Sequence, residues 1–362
     1  MLRRVYGVDL GTSSVKIYSL SKNKEYMEKN MVAIRNGRQI IAVGNDAYEM
    51  YEKTPKNIQV NCPIQNGKIA NISTMEVGLY SMLRRIENHS PFGSVIYFTV
   101  PVDATAVEKR AYYTVANGSM LQNNKVLMVE SPLADALGLG ISPVDSKGSM
   151  IVNIGARSTE LSVIAGGKII ISKSFQMGGR QMDEAIVAEI RKEYQLYLGN
   201  RTAQRLKVAV GRLNTQGKEV RKVVGIDSVS GLPREEVVTS NVVNKGISAC
   251  VDEIGREIKL FLERIPPQIA YQIAQEGIYL TGGSTRLPFI ESYLSAYAGY
   301  SFRLSDLYEM STIRGLEKMI QESPVVWTVP VYYDEATCLV EISKGLPLDK
   351  ENEEGLTEEQ KE

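Results

Sequence analysis

Apolar and polar positions recur along the chain at two periods, and the changes from one to the other lay out its elements. Residues 4–20 alternate as two short strands joined by the small polar tip Gly11-Thr12-Ser13-Ser14, which predicts a β-hairpin. Short alternating runs continue through Tyr26–Val43, and residues 44–58 predict a polar helix running into the turn Thr54-Pro55-Lys56-Asn57. Over residues 73–87 the apolar positions Leu79, Met82, Leu83 and Ile86 recur at the spacing of one helix face. Gly93–Val100 is a near-continuous apolar run stopped by Pro101, the pattern of a strand buried on both faces. A helix is expected over Ala104–Asn117 with Asp103 as its N-cap, then a buried strand at Lys125–Glu130 and a short helix at Pro132–Leu139.

Near residue 148 the pattern begins again. Ser149–Ala156 is strand then turn, Thr159–Ala165 the returning strand, and Lys168–Ser174 a third. Two related α/β halves facing each other across a cleft are therefore expected. Gly178–Leu198 holds a helix with Met182, Ala185, Ile186, Ala188 and Ile190 inward, and Asn241–Glu263 is a long amphipathic helix whose apolar face reads as core. Residues 199–240 between them are polar, with short strands such as Val220–Ile226. Gly277–Ser284 is a strand entering a glycine-rich turn, followed by a helix over Leu287–Tyr297. Past residue 322 the character changes: Val325–Tyr333 is strand-like, and 349–362 is almost wholly polar and acidic, a composition that predicts disorder. These breaks give a first domain at 1–146, a second at 147–321 and an extension at 322–362, with subdomain insertions at about 29–68 and 181–240.

Composition narrows the function. The formal net charge is zero, which removes the global basic field of a nucleic-acid binder. Cys62, Cys250 and Cys338 are scattered, against a disulfide framework or zinc site, and the single histidine, His89, is too few for most histidine chemistry. No apolar run follows Arg3 and Arg4 to form a signal peptide, and none is long enough to span a bilayer. A reducing, cytoplasmic setting is expected.

Candidate chemistry lies in three small turns. Gly11 with Thr12, Ser13 and Ser14 offers N–H and O–H donors without bulk, as a polyphosphate requires, and Asp9 beside it could hold Mg²⁺. An ordinary solvated hairpin turn is the alternative reading of that stretch taken alone. Asn153-Ile154-Gly155-Ala156-Arg157-Ser158-Thr159-Glu160 is its partner in the second half, and Gly282-Gly283-Ser284-Thr285 lets backbone approach a ring or ribose. Together, in this order over an α/β repeat, the three point to a nucleotide cleft.

The set DLGTSSVK, NIGARSTE and LTGGSTRL resembles the phosphate and adenosine motifs of the actin superfamily, and within it the MreB-like bacterial actins of the rod-shape family. Segments such as VPVDATAVEKRA, VESPLADALGLGI, MGGRQMDEAIV and LGNRTAQRLK follow in the same order, so the resemblance covers about residues 5–321. It implies an actin-like α/β fold, a ribonuclease H-like unit repeated, with two domains each carrying a small subdomain and ATP in the central cleft. It also implies Mg²⁺ as companion, self-assembly into paired filaments at the inner membrane face, weak ATPase activity coupled to polymerisation, and partners among the membrane proteins of cell elongation. Residue by residue, the resemblance places Thr12, Ser13 and Ser14 on the phosphates, with Gly155, Ala156, Arg157 and Ser158 opposite; Lys16 matches the phosphate-contacting lysine of true actins, at a position where the rod-shape family usually lacks it. It places Asp9 and Asn153 at the metal, Asn200, Arg201, Thr202 and Ala203 at the ribose and base, and Gly282, Gly283, Ser284 and Thr285 at the adenosine. Glu130 matches the carboxylate that polarises the attacking water, and Thr159 a threonine that helps position it.

The departures sit in the site. The family's second turn normally reads Asp-Ile-Gly-Gly-Gly-Thr-Thr-Glu; here Asn153 has lost a charge, and Ala156 and Arg157 replace glycines in a turn that could need positive φ. Arg157 could instead bring a guanidinium to the phosphates. Ser284 and Thr285 stand for Gly-Ala, and Asn200 for an acid. Slow or absent hydrolysis is expected. For a membrane anchor, the loop His89-Ser90-Pro91-Phe92-Gly93 offers one aromatic with Arg84 and Arg85 nearby in sequence. A non-polymerising actin-fold adaptor, or a sugar kinase or phosphatase of the same superfamily, are the rival functions.

Overall fold

The computed structural model describes residues 4–65, 67–88, 93–213, 219–322, 329–334 and 339–342. Strands Arg4–Leu10 (β1), Ser14–Ser19 (β2) and Lys24–Lys29 (β3) form an antiparallel meander. Ser94–Val100 (β4) and Lys125–Glu130 (β5) continue it in parallel, in the order β3-β2-β1-β4-β5. Ser149–Ile154 (β6), Thr159–Ala165 (β7), Lys168–Phe175 (β8), Ile278–Thr281 (β9) and Phe302–Leu304 (β10) repeat the design as β8-β7-β6-β9-β10. The echo in the sequence is a duplicated topology.

The equivalence extends to single positions. Leu10 pairs with Val15 around Gly11–Ser14, and Ile154 pairs with Thr159 around Gly155–Ser158. Asp9 lies opposite Lys16 and, in the second half, Asn153 opposite Glu160. Both turns begin with a glycine for the same steric reason. A Cβ on Gly11 would stand 2.8 Å from the Ser14 carbonyl oxygen, and one on Gly155 3.0 Å from that of Ser158.

Each sheet buries its apolar face under helices. In the first half Met75, Leu79, Met82 and Leu83 of the helix Ile72–Ile86 pack with Val8, Ile17, Ile96 and Phe98. In the second, Val243, Ile247, Val251, Ile254, Ile258 and Phe261 of the helix Ser240–Leu262 face Met182, Ile186 and Ile190 of the helix Gly179–Tyr194. The long helix is core, as its apolar period implies. Ala188, expected inward, is exposed, because Met182, Ile186 and Ile190 already fill the stripe at fourfold spacing and position 188 lies off it. The expected cap Asp103 is likewise displaced by Thr105, whose hydroxyl accepts from the Glu108 amide while the Glu108 carboxylate accepts from the Thr105 amide.

The helix Ser311–Glu322, read from sequence as the end of the second domain, packs on the first sheet. Ile313, Leu316, Met319 and Ile320 bury against Tyr18, Tyr97, Leu127 and Val129, each large side chain contributing about 1.5–3 kcal/mol. Close approach to the helix Ser131–Gly138 is what allows this: a Cβ on Gly315 would fall 1.8 Å from the Ala134 oxygen. Strand Val329–Asp334 then adds antiparallel to β5, and Leu339–Ile342 pairs with it. Among the described residues no helix is long and apolar enough to cross a membrane. The loop residues His89–Phe92, Cys338 and the acidic end 349–362 lie outside the described residues. Arg85, near that loop, is engaged by Glu28 at 2.6 Å and Asp46 at 3.0 Å.

Candidate functional site

Between the two halves lies a cavity of about 510 Å³, within the range that holds small ligands and cofactors. Its floor is made by the two equivalent hairpin tips and the turn after β9. In the first tip all three carbonyls are drawn outward. The Gly11 oxygen accepts from Asn30 Nδ2 at 2.9 Å, the Thr12 oxygen from Cys62 Sγ at 3.1 Å, and the Ser13 oxygen from the Asn30 amide at 3.1 Å. With the carbonyls turned away, the Thr12 and Ser13 amides have no acceptor among the described residues, and the tip presents donors to the cavity. The second tip is tied back in the same sense: the Gly155 oxygen accepts from the Gly179 amide and from Ser284 Oγ, and the Ala156 oxygen from the Arg180 amide. The sequence left open whether Ala156 and Arg157 suit a turn needing positive φ; neither has it, so both side chains are accommodated.

Gly282 has φ +97°, and a Cβ there would lie 2.4 Å from the Ile154 oxygen and 2.5 Å from Asn153 Oδ1. Gly282→Ala should therefore cost about 3 kcal/mol by thermal or urea denaturation, from backbone strain plus overpacking. Gly299→Ala, at φ +77° with open space around it, should cost only about 1 kcal/mol.

Acid and base side chains are mostly engaged by one another. Lys16 Nζ donates to Asp9 Oδ2 at 2.6 Å, and Thr99 donates to Asp9 Oδ1 at 3.0 Å. Lys207 pairs with Asp183 at 2.7 Å, and Arg286 holds Glu309 through two hydrogen bonds. Asn153 Nδ2 donates at 2.8 Å to Asp135, a buried carboxylate whose other oxygen accepts from Ser311 at 2.9 Å and Thr312 at 2.7 Å. Burial raises Asp135 above the usual carboxylate range, with those three donors opposing. Glu160 reaches the cavity; burial, aided by the nearby Asp135 and Asp103 charges, pushes it up to about 8.

A family model described as MreB/Mbl protein matches residues 3–326. The cell shape-determining protein MreB of Escherichia coli K12 is 33% identical over 302 residues, 81% of this chain and 86% of that protein. Mbl of Bacillus subtilis, also named cell shape-determining, is 32% identical over 298 residues, 82% and 89% of the two chains. Among solved structures, MreB5 of Spiroplasma citri bound to AMPPNP superposes with TM-score 0.84 at 27% identity, over 89% of this chain and 97% of that one; its ADP-bound form gives 0.81 at 28%, over 89% and 99%. The chain belongs to the MreB/Mbl family. Its duplicated sheets are the actin-like fold of that family.

Within this MreB/Mbl cleft, Asp9, Thr12, Ser13, Ser14, Lys16, Asn153, Gly155, Ala156, Arg157, Ser158, Asn200, Arg201, Gly282, Gly283 and Ser284 all line the cavity. Five of the residues singled out in the sequence are not among the lining residues. Thr159 is buried and donates its hydroxyl to the Met177 oxygen at 2.7 Å. Glu130 caps the helix Ser131–Gly138 by its backbone, and the next residue, Ser131, takes the lining position. Thr285 is buried and closes its own turn on the Gly282 oxygen. Thr202 and Ala203 turn away because residues 200–210 are helical: the cavity face is Asn200, Arg201, Gln204, Lys207 and Val208, not four consecutive residues.

Arg201 lines the cavity, yet its guanidinium is engaged elsewhere. It donates to the Tyr48 oxygen at 3.2 Å and to Glu49 Oε2 at 3.1 Å, and lies 4.7 Å over the Tyr48 ring, clasping the helix Asn45–Met50 of the first half. Lys29 and Arg180 are lining residues outside the sequence motifs, and Glu160, the last residue of the second motif, lines the cavity without having been given a role there. The internal repeat held the signal for Glu160, which occupies the position of Lys16.

The Mg²⁺ expectation rested on Asp9 and Asn153, and these donors fit the metal poorly. Both Asp9 oxygens already have donors, one of them an ammonium, and Asn153 is neutral with its amide committed to Asp135. Mg²⁺ prefers ionised carboxylates. No group of three or more metal-ligating side chains occurs among the described residues.

Proposed function

We propose that this chain is a cell-shape cytoskeletal protein that binds ATP in the cleft, assembles with copies of itself into filaments at the inner membrane face and helps organise cell-wall synthesis. The observation that carries the nucleotide part is the pair of equivalent hairpin tips, each with its carbonyls tied back, facing one cavity of nucleotide size. The AMPPNP and ADP held by the Spiroplasma citri MreB5 relative support the same ligand class. Filament formation and partners among the membrane proteins of cell elongation are carried by membership of the MreB/Mbl family alone. Mg²⁺ enters this reading only as a companion brought by the nucleotide phosphates.

Hydrolysis is slow in this reading. Glu130, the carboxylate matched to the water-polarising role, is not among the lining residues, but Glu160 is, and a group near pKa 8 can exchange a proton with an attacking water. Phosphoryl transfer relies chiefly on positioning and charge neutralisation, and Asn153 supplies no charge.

Sedimentation of the full chain with and without ATP, with electron microscopy of the pellet, tests the reading. Paired filaments that pellet with ATP are expected. Absence of any polymer, with or without lipid vesicles, would replace the filament reading by the non-polymerising adaptor.

A further inference from the structure

Three cations in the cleft have no carboxylate partner among the described residues: Lys29 from the first half, and Arg157 and Arg180 from the second. Every other basic side chain that lines the cavity is paired: Lys16 with Asp9, Lys207 with Asp183, Arg201 with Glu49 and Arg286 with Glu309. Asp183, on which the Arg180 charge also acts, is paired with Lys207. Lys29 lies 5.2 Å over the Tyr48 ring; burial disfavours its ammonium, the charge of Glu309, itself held by Arg286, offsets this in part, and the Arg180 charge adds to the cost. Lys29 and Arg180 thus repel each other, and none of the three cations has a carboxylate at ion-pair distance among the described residues.

Cys62 ties the two arginines to the first tip. Its thiol donates to the Thr12 oxygen of the first tip, and it feels the charges of both Arg157 and Arg180. Both arginines line the same cavity as the first tip but belong to the opposite half, so a polyphosphate on the tip would lie between them if the nucleotide reading holds. At the two positions expected to attract a divalent cation, Asp9 is neutralised by Lys16 and Asn153 carries no charge.

We propose, resting on the nucleotide reading, that this chain neutralises the triphosphate with its own cations, Lys29, Arg157 and Arg180, and so binds metal-free ATP nearly as well as its Mg²⁺ complex. A planar guanidinium can hold two phosphate oxygens at once, which replaces the bridging that a metal provides. Free ATP carries more negative charge than Mg-ATP, so the arginines matter more to the free form.

Calorimetric titration of the full chain with ATP, once in excess Mg²⁺ and once in excess EDTA, tests this. The two dissociation constants are expected within about threefold of each other. The double variant R157Q/R180Q should weaken binding about tenfold more in EDTA than in Mg²⁺, a difference that loss of packing alone would not produce. Binding in Mg²⁺ that falls by more than about thirtyfold in EDTA overturns the proposal and leaves the nucleotide reading standing. An equal loss in both media for the variant also overturns it. No binding in either medium removes the nucleotide reading, and this proposal with it. The wild-type comparison decides the matter even where the double variant does not fold.

Discussion

Asn153→Asp should destabilise the protein by about 3–5 kcal/mol near neutral pH, although it recreates the acidic residue of the family motif. Asn153 Nδ2 is one of three donors to the buried Asp135 carboxylate, at 2.8 Å. An Asp there would remove that donor and set a second carboxylate against the first. The penalty requires both carboxyls to be ionised, so it should shrink as pH falls and one of them protonates. Denaturation curves of wild type and variant at pH 7 and pH 4 measure it. The exchange N153D/D135N should restore most of the loss. In it the new amide at position 135 would accept from Ser311 and Thr312 through Oδ1 and donate through Nδ2 to the new carboxylate at position 153. Every bond is kept while the charge moves across the pair. A single variant as stable as wild type, or an exchange no better than the single variant, would refute the account.

Glu160 should make the empty protein less stable as pH rises from about 4.5 to about 8. Below that window the carboxyl is neutral in both folded and unfolded chains and costs nothing. Within it the unfolded chain gives up a proton that the folded chain keeps, so unfolding gains steadily; above it the penalty is constant. At about 1.36 kcal/mol per pH unit the whole shift is worth roughly 5 kcal/mol, and water in the cavity brings the expected loss to on the order of 3 kcal/mol. Asp135 is raised by burial and moves stability in the same direction, so Glu160→Gln should flatten the slope without abolishing it. Melting temperatures across pH 5–8 for wild type and Glu160→Gln provide the check, and parallel slopes would mean that Glu160 is not the titrating group.

The repeated hairpin was legible because a two-residue period and a Gly-led tip are local properties of the chain, and Leu10–Val15 and Ile154–Thr159 indeed close equivalent turns. The cleft motifs were legible for the same reason, since Gly11, Gly155 and Gly282 each answer a steric demand within or beside their own turn. Thr202 and Ala203 were misplaced because a motif read as consecutive residues ignores the rotation of a helix, which brings Gln204 and Lys207 to the cavity instead. The packing of the helix Ser311–Glu322 on the first sheet was not legible, because order along the chain carries no information about a return crossing.

By itself the sequence determined the duplicated α/β plan, the buried strands and helix faces, and the three turns where backbone must come close. All follow from side-chain size and polarity at short range. Only the tertiary structure decided which charges are left over. Asp9 is quenched by a lysine seven residues on, Asn153 serves an aspartate from another element, Arg201 is bound to the far side of the cleft, and Lys29, Arg157 and Arg180 remain without a paired carboxylate among the described residues. Pairing depends on distances across the fold, and a charge acquires its function from the partner it does or does not find there.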